Sequence, residues 1–465
     1  MPDTKLSTLQ SRLGRIVNID ESIRRSHSRD TWVLSDLHDY LGSPAQIPMA
    51  VIIPETTQAM SDTVALCGEL GVRMIPYGAG SGVCGGILGQ SDAVILSTAA
   101  LAGLKALDSQ NLLATFGAGT IGIEAEHAVA SEGFTIGHWP QSIEISSVGG
   151  WVATRASGQY STAYGNIEDI LFSIEAVLPD GSVYDSRQTP RAAAGPDLKQ
   201  VLLGSEGTLG IITEVTFSLR LEAVQQVQQA FHFATIERGL NVVREIMSAG
   251  WRPPVVRLYD PRESRRHFGE SCPKGRAMLI FLHEEPCAIQ ESEAVAKICG
   301  AEQGVPAPQD IVQQWFQRRN DVPSFRSLIE QGLIVDTIEV GATWSRLPGV
   351  YHESIRALEA IDDVIAASAH MSHAYRSGAN LYFTLAGSPK RVQDMEALYW
   401  RCWDAVMKVT MEQGGSIAHH HGIGRVRKSY LNRELGEAGM TMLRHIKQSL
   451  DPQGLFNPGN LLPDQ

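Results

Sequence analysis

Hydrophobic and polar positions divide the chain from Pro54 onward into helices and strands. The stretch ETTQAMSDTVALCGELG sets Met60, Val64, Cys67 and Leu70 on one helical face, with Gly71 placed to stop the helix. VRMIP and AVILS read as short strands on either side of a glycine-rich run, PYGAGSGVCGG. LFSIEAVLPDGSVYDS predicts two strands joined at Pro179-Asp180-Gly181, a strong turn signal. Val215, Phe217 and Leu219 alternate with polar neighbours, which predicts a half-buried strand. Longer segments follow, and DMEALYWRCWDAVMKVTMEQGG then forms a helix with Tyr399, Cys402, Val406 and Val409 on one stripe, ended by Gly414-Gly415. A histidine-rich turn and a closing helix up to Asp451-Pro452 complete the chain. The expected organisation is a first lobe over 1–222, a second over 223–415, and a return over 416–465.

Composition narrows the class. A chain of 465 residues, 43% hydrophobic and 19% charged, is a globular protein of two or three domains. It is no collagen, disordered tail or disulfide miniprotein. A net charge of −12 without a lysine-rich stretch argues against nucleic acid as a partner. The 44 glycines exceed the usual ~7% and gather in clusters, a sign of backbone that approaches something closely. Cys67, Cys84, Cys272, Cys287, Cys299 and Cys402 form no CxxC pair and read as reduced thiols. No apolar signal core opens the chain and no run long enough to span a membrane occurs, so the expected location is cytoplasmic.

Two segments suit a phosphate-bearing ligand. Tyr77-Gly78-Ala79-Gly80-Ser81-Gly82 directly follows a strand, where backbone N–H groups can form an anion nest. It matches neither the Walker pattern nor GxGxxG spacing, so a tight structural turn is an equal reading. Between Pro140 and Ile170, Gly149 and Gly150 allow close approach, and Ser142, Ser147, Thr154 and Ser157 supply short donors. A polar loop and helix start would explain each of these residues singly, but not their density.

Taken with SGANLYF, HHHGIGRVRK and DPQGLFNPGNLL, these stretches resemble the FAD-linked oxidases of the vanillyl-alcohol oxidase superfamily. Within it the chain is most similar to the alkyldihydroxyacetonephosphate synthase branch and its bacterial relatives. The resemblance implies an α+β fold: a bipartite PCMH-type FAD-binding domain of two α/β subdomains, with an inserted α+β cap built on an antiparallel sheet. Residues 1–222 and 416–465 would form the FAD-binding domain and 223–415 the substrate-binding cap. Pro76, Tyr77, Gly78, Ala79, Gly80, Ser81 and Gly82 would hold the FAD pyrophosphate. Gln141, Ser142, Ser147, Gly150, Thr154, Ser157, Gly158 and Tyr164 would lie along the dinucleotide, with Glu206, Gly210 and Ile212 completing its site. The first glycine loop has no histidine, so FAD is expected to be non-covalent.

On this resemblance the catalytic face comprises His419, His420 and His421 with Tyr382, and Arg257 anchors an anionic substrate. Imidazole titrates near pH ~6.5 and can exchange a proton while flavin takes a hydride. A capping histidine cluster is the blander reading of the run. For Arg257 the blander reading is a strand-end pair with Asp260, and for Tyr382 it is core packing. His373 and Arg376 lie nearby without an assignable role, and Trp344 is expected to wall the pocket. Metal-dependent members of the superfamily carry histidines where this chain has Tyr375 and Tyr382, and a glutamate at His420, so no metal is expected.

Three functions remain: oxidation of a small anionic 2-hydroxy acid or alcohol, redox-neutral group transfer of the synthase type, and a non-catalytic flavin-binding or electron-transfer subunit. Oxidation is favoured, because the synthases' longer insertion after Asp260 is missing and His370 stands where they carry an arginine. The expected partner is a small, anionic molecule, and a homodimer is compatible with the sequence.

Overall fold

The computed structural model describes residues 2–308, 310–321 and 324–462. Three main sheets organise them. In the first, Ala50–Ile52, Ala93–Ser97 and Arg73–Tyr77 run parallel, with Val17–Asn18 antiparallel at one edge. Ala50–Ile52 and Ala93–Ser97 are buried along their whole length, as strands covered on both faces must be. The helix Thr57–Leu70 covers one of these faces. Thr56 caps it by accepting from the Ala59 N–H, and Gly71, at φ +58°, ends it. Met60, Val64 and Cys67 face inward as the periodicity predicts, but Leu66 takes the buried place expected for Leu70.

The second sheet is antiparallel, in the order 104–108, 113–117, 211–218, 171–177, 183–185. Pro179-Asp180-Gly181 makes its last turn, where Asp180 Oδ1 accepts from the Ser182 N–H. The strand Ile211–Ser218 is buried on both faces and not on one. Thr216 is 2% exposed, and its hydroxyl bonds that of Thr115 across the sheet at 2.8 Å, which satisfies a polar group in the interior.

The third sheet has seven antiparallel strands, from the short edge 305–306 through 226–233, 277–284, 255–259, 364–371 and 378–387 to 334–343. Helices Ile236–Ser248, Leu347–Glu359 and Met395–Glu412 pack on it, the last through Tyr399, Cys402 and Val406, while Val409 is only half-buried. After Leu431–Leu450 the chain returns to the first sheet. There Met74 donates to Leu455 O and accepts from Asn457 N, and Phe456 is fully buried. All six cysteines are free thiols, five of them buried. No helix among the described residues is long and apolar enough to cross a membrane.

His138, in the core of the first lobe, is fully buried 4.7 Å from the Trp151 ring, and neither ring nitrogen has a hydrogen-bond partner. Burial pushes its pKa down to about 3. An unfolded chain takes up this proton near pH ~6.5 but the folded one does not, so folding loses stability as pH falls. Relative to His138→Leu, the wild type should lose about 1.4 kcal/mol for each pH unit below ~6.5. Denaturant unfolding of both proteins between pH 7.5 and 4.5 checks this, and a pH-independent difference would refute it.

Candidate active site

Residues from all three sheets line one cavity of about 690 Å³, within the usual range for small-molecule sites. Its floor is the loop from Pro76 to Gly82. At Gly78 a β-carbon would stand 2.4 Å from Ser147 Oγ, and at Gly80 (φ +72°) 2.3 Å from the Tyr77 hydroxyl. A larger residue at Gly78 would have to displace the Ser147 hydroxyl, and one at Gly80 would displace the Tyr77 hydroxyl and also be strained by the positive φ. The N–H groups of Gly78 through Gly82 donate to no acceptor among the described residues, so they are available to an anion. Asp30 fixes the far end of this loop, accepting from the N–H groups of Trp32 and Gly86 at 3.2 and 2.8 Å. Burial lifts its carboxyl to about 7.

Gln141, Ser142, Ser147, Gly150, Thr154 and Ser157 continue the lining from this loop, and Glu206, Gly210 and Ile212 close it. Two expected members lie elsewhere. Tyr164 turns away, donating to Glu284 and stacking on Tyr160, with the Arg220 guanidinium 4.7 Å over its ring. Gly158 serves a backbone crossing, since a β-carbon there would meet Trp139 N at 2.5 Å.

The three consecutive histidines follow the strand Ile334–Thr343 in space, not in sequence. Glu339 of that strand, fully buried, accepts from the N–H groups of His419 and His421 and pairs with the fully buried Arg427 at 3.0 Å. Burial opposes the charge on Glu339, but Arg427 holds the carboxyl below its ordinary value. Glu206 does the same for the next residues, accepting from Ile423 N and Gly424 N at 2.6 and 2.8 Å. The turn is thereby fixed with His420 and His421 lining the cavity and His419 behind them.

His419 is linked on both sides. Its Nδ1 lies 2.9 Å from His420 Nδ1, and its Nε2 lies 2.7 Å from the Tyr375 hydroxyl, which in turn meets Asn166. The chain of bonds can run in either direction. When it runs toward Asn166, His420 donates through Nδ1, and its Nε2, which has no hydrogen-bond partner among the described residues, is left free to accept a proton. Burial, before any neighbouring charge, keeps His419 and His421 neutral, at about 4 and about 3, and lowers His420 well below its ordinary value.

Arg257 also reaches the cavity. It does not pair with Asp260, whose carboxylate instead caps the helix Pro261–Phe268. Its Nε donates to the Tyr259 hydroxyl at 2.9 Å and its Nη2 to His370 Nε2 at 3.1 Å. No carboxylate among the described residues is within ion-pair distance of it. Tyr382 lines the same region, donating to Thr337 Oγ1 at 3.0 Å, with His370 and His420 stacked at 4.8 and 6.0 Å from its ring. Trp344 is no part of the wall; its indole donates to Arg376 O. His373, unassigned from sequence, is buried beside His419 and His420 with its Nδ1 2.6 Å from Ser161 Oγ. His373, His419 and His420 each bring a possible ligand atom to within 4.8 Å of the others.

Comparison with known proteins places this geometry. Residues 48–187 match the FAD binding domain family, and residues 225–461 match the C-terminal domain of the FAD linked oxidases. The chain is 31% identical over 462 residues to the uncharacterized FAD-linked oxidoreductase YgcU of Escherichia coli (strain K12), covering 96% of this chain and 95% of that protein. The chain belongs to the FAD-linked oxidases. It is an enzyme, and FAD is its cofactor. The unpartnered N–H groups over the glycine floor, which lines the cavity, fit that group.

Other members of this family are also similar across most of the chain. Alkyldihydroxyacetonephosphate synthase of Dictyostelium discoideum is 28% identical over 96% of this chain and 78% of its own length. Glycolate oxidase subunit GlcD of Bacillus subtilis is 26% identical over 89% of each. A solved alkyldihydroxyacetonephosphate synthase superposes with a TM-score of 0.83 at 24% identity, covering 98% of this chain and 85% of that one. p-Cresol methylhydroxylase superposes at 0.79 and 14% identity, covering 99% and 97%, which shows the PCMH-type fold.

The role of Glu339 is measurable. Glu339→Gln leaves Arg427 buried without its partner and should cost about 3–5 kcal/mol of stability. Adding Arg427→Met should restore part of that loss, because the uncompensated charge goes with it. Denaturant unfolding of the FAD-free proteins reads both effects. Strictly additive losses would show that the two residues act independently.

Proposed function

We propose that the enzyme oxidises a small anionic 2-hydroxy acid or a related alcohol, with Arg257 holding the anion and His420 taking the hydroxyl proton. The observation that carries this reading is the meeting, in one cavity, of an arginine without a carboxylate partner and a neutral imidazole with a free Nε2. FAD, when bound non-covalently in the glycine-floored part of the cavity, supplies the two-electron acceptor for the hydride. Arg257 has N–H donors left after its bonds to Tyr259 and His370, and they form a fork for a carboxylate. His420 accepts the proton at Nε2, and its Nδ1 bond to His419 steadies the resulting cation through Tyr375 and Asn166. Tyr382, fixed by Thr337, holds the space between the two. The relative named glycolate oxidase subunit supports this substrate class.

The reading needs no metal. Both ring nitrogens of His419 are hydrogen-bonded, one to His420 Nδ1 and the other to the Tyr375 hydroxyl, so an ion held by His419 would have to displace one of those bonds. Redox-neutral group transfer is the second reading, supported by the likeness to alkyldihydroxyacetonephosphate synthase over nearly the whole chain.

Anaerobic mixing of the FAD-loaded enzyme with a panel of 2-hydroxy acids and alcohols decides between them. Bleaching of the flavin band by one compound is the expected result. No bleaching across the panel, with a spectral change on adding an acyl-dihydroxyacetone phosphate, would favour transfer. With the bleaching substrate, His420→Ala should slow reduction on the order of 10²-fold. Arg257→Ala should raise KM by an amount equivalent to about 2–4 kcal/mol. Chelator treatment should leave the rate unchanged, and activity lost and then restored by zinc would make the histidine cluster a metal site.

A further inference from the structure

We propose that Glu263 and His370 are positioning residues for Arg257: the buried carboxylate fixes the tautomer of the imidazole, and the imidazole fixes the guanidinium that grips the substrate's carboxylate. This inference rests on the reading of Arg257 as the anion anchor.

The strand register brings the three together. Tyr259 lies opposite His370 on the neighbouring strand, so Arg257, two residues along, shares its face with both. Arg257 Nη2 stands 3.1 Å from His370 Nε2, and His370 Nδ1 stands 3.0 Å from Glu263 Oε2. A guanidinium nitrogen can only donate, so His370 Nε2 must accept. That leaves the hydrogen on Nδ1, directed at Glu263. The imidazole is therefore neutral and locked in one tautomer. Burial keeps it there, lowering its pKa to about 4.

Glu263 is fully buried, and burial alone would neutralise it. His370, His267 and Arg266 together hold its carboxyl well below the ordinary range. Ser368 adds a hydroxyl donor at 3.0 Å. The charge of Glu263 is thus spent on Arg266 and its hydrogen bonds, and Arg257 keeps its own for a ligand. A carboxylate placed directly on Arg257 would have occupied the anchor; the intervening neutral imidazole orients it without discharging it.

Oxamate, a non-oxidisable monoanion, is the probe, titrated into FAD-loaded enzyme and read by perturbation of the flavin absorbance. His370→Leu should weaken oxamate about ten-fold, while His370→Gln, which retains one donor and one acceptor, should stay within about three-fold of wild type. In an Arg257→Met background, His370→Leu should have no further effect. A merely structural role would leave the full effect in that background, and this result, or an unchanged affinity in His370→Leu, overturns the proposal. If Arg257→Met binds oxamate like wild type, or wild type binds none, the anion-anchor reading itself fails and takes this inference with it. ¹⁵N NMR of histidine-labelled wild type gives a second test that needs no variant to hold its ligand. The His370 signals, identified by their loss in His370→Gln, should show the Nδ1–H tautomer at pH 7. The Nε2–H tautomer, or an imidazolium, overturns the proposal.

Discussion

The Glu339–Arg427 pair is the contact on which the rest of the site depends. Both side chains are fully buried, one on a strand of the seven-stranded sheet and the other in the segment that returns to the first sheet. Such a pair offers little net stability over an apolar replacement, because two charges lose their water. Its value is positional. Arg427 also donates to the carbonyls of Ile417 and Gly422 and to Cys84 Sγ, so it clasps both ends of the histidine turn against the glycine-rich loop. Glu339 grips the same turn from below through two backbone N–H groups. A turn containing three imidazoles has no regular backbone bonding to hold it, and this ionic clasp takes that place.

The same device recurs around the cavity. Asp30 collects N–H groups beside the glycine loop, Glu206 collects those of Ile423 and Gly424, and Asp260 caps a helix while also accepting from Ala369 N. Glu206 adds a further tie, since Asn457 and Asn460 both donate to its carbonyl. Each buried acid replaces missing secondary structure with bonds from backbone N–H groups, and where a neighbouring arginine keeps the carboxyl ionised, as at Glu339, those bonds are roughly twice as strong as neutral ones. The loops so held come from distant parts of the chain, which is how a floor of glycines and a wall of histidines keep a common geometry.

Much of the fold was legible because it is local. The helix after Pro54, the strands around the glycine loop, the Pro179-Asp180-Gly181 turn and the family resemblance all follow from short stretches of sequence. What alternation missed was cover on the second face: Thr216 reads as solvent-facing until the Thr115 hydroxyl opposite it is known. The site divides in the same way. The glycine floor, His420, Tyr382 and Arg257 stand in recognisable motifs, whereas Glu339, Glu263 and His373 gain meaning only from partners 88, 107 and 212 residues away. Glu339 shares the strand IVDTIEV with a second acid, Asp336, so nothing local singled it out. Tyr164 and Gly158 sit inside a cofactor-like motif but serve packing, since a motif records which segment approaches the ligand and not which side chains face it.

An acidic chain with a net charge of −12 would be a poor trap for an anion if its acids faced the site. Here the acids beside Arg257 and the histidine turn are turned to backbone N–H groups, arginines and histidines, while burial holds His370, His420 and His421 uncharged. The Arg257 charge is left to act over a short range. Tyr382 stacks on both His370 and His420, so a single ring ties the Arg257 side of the cavity to the histidine turn.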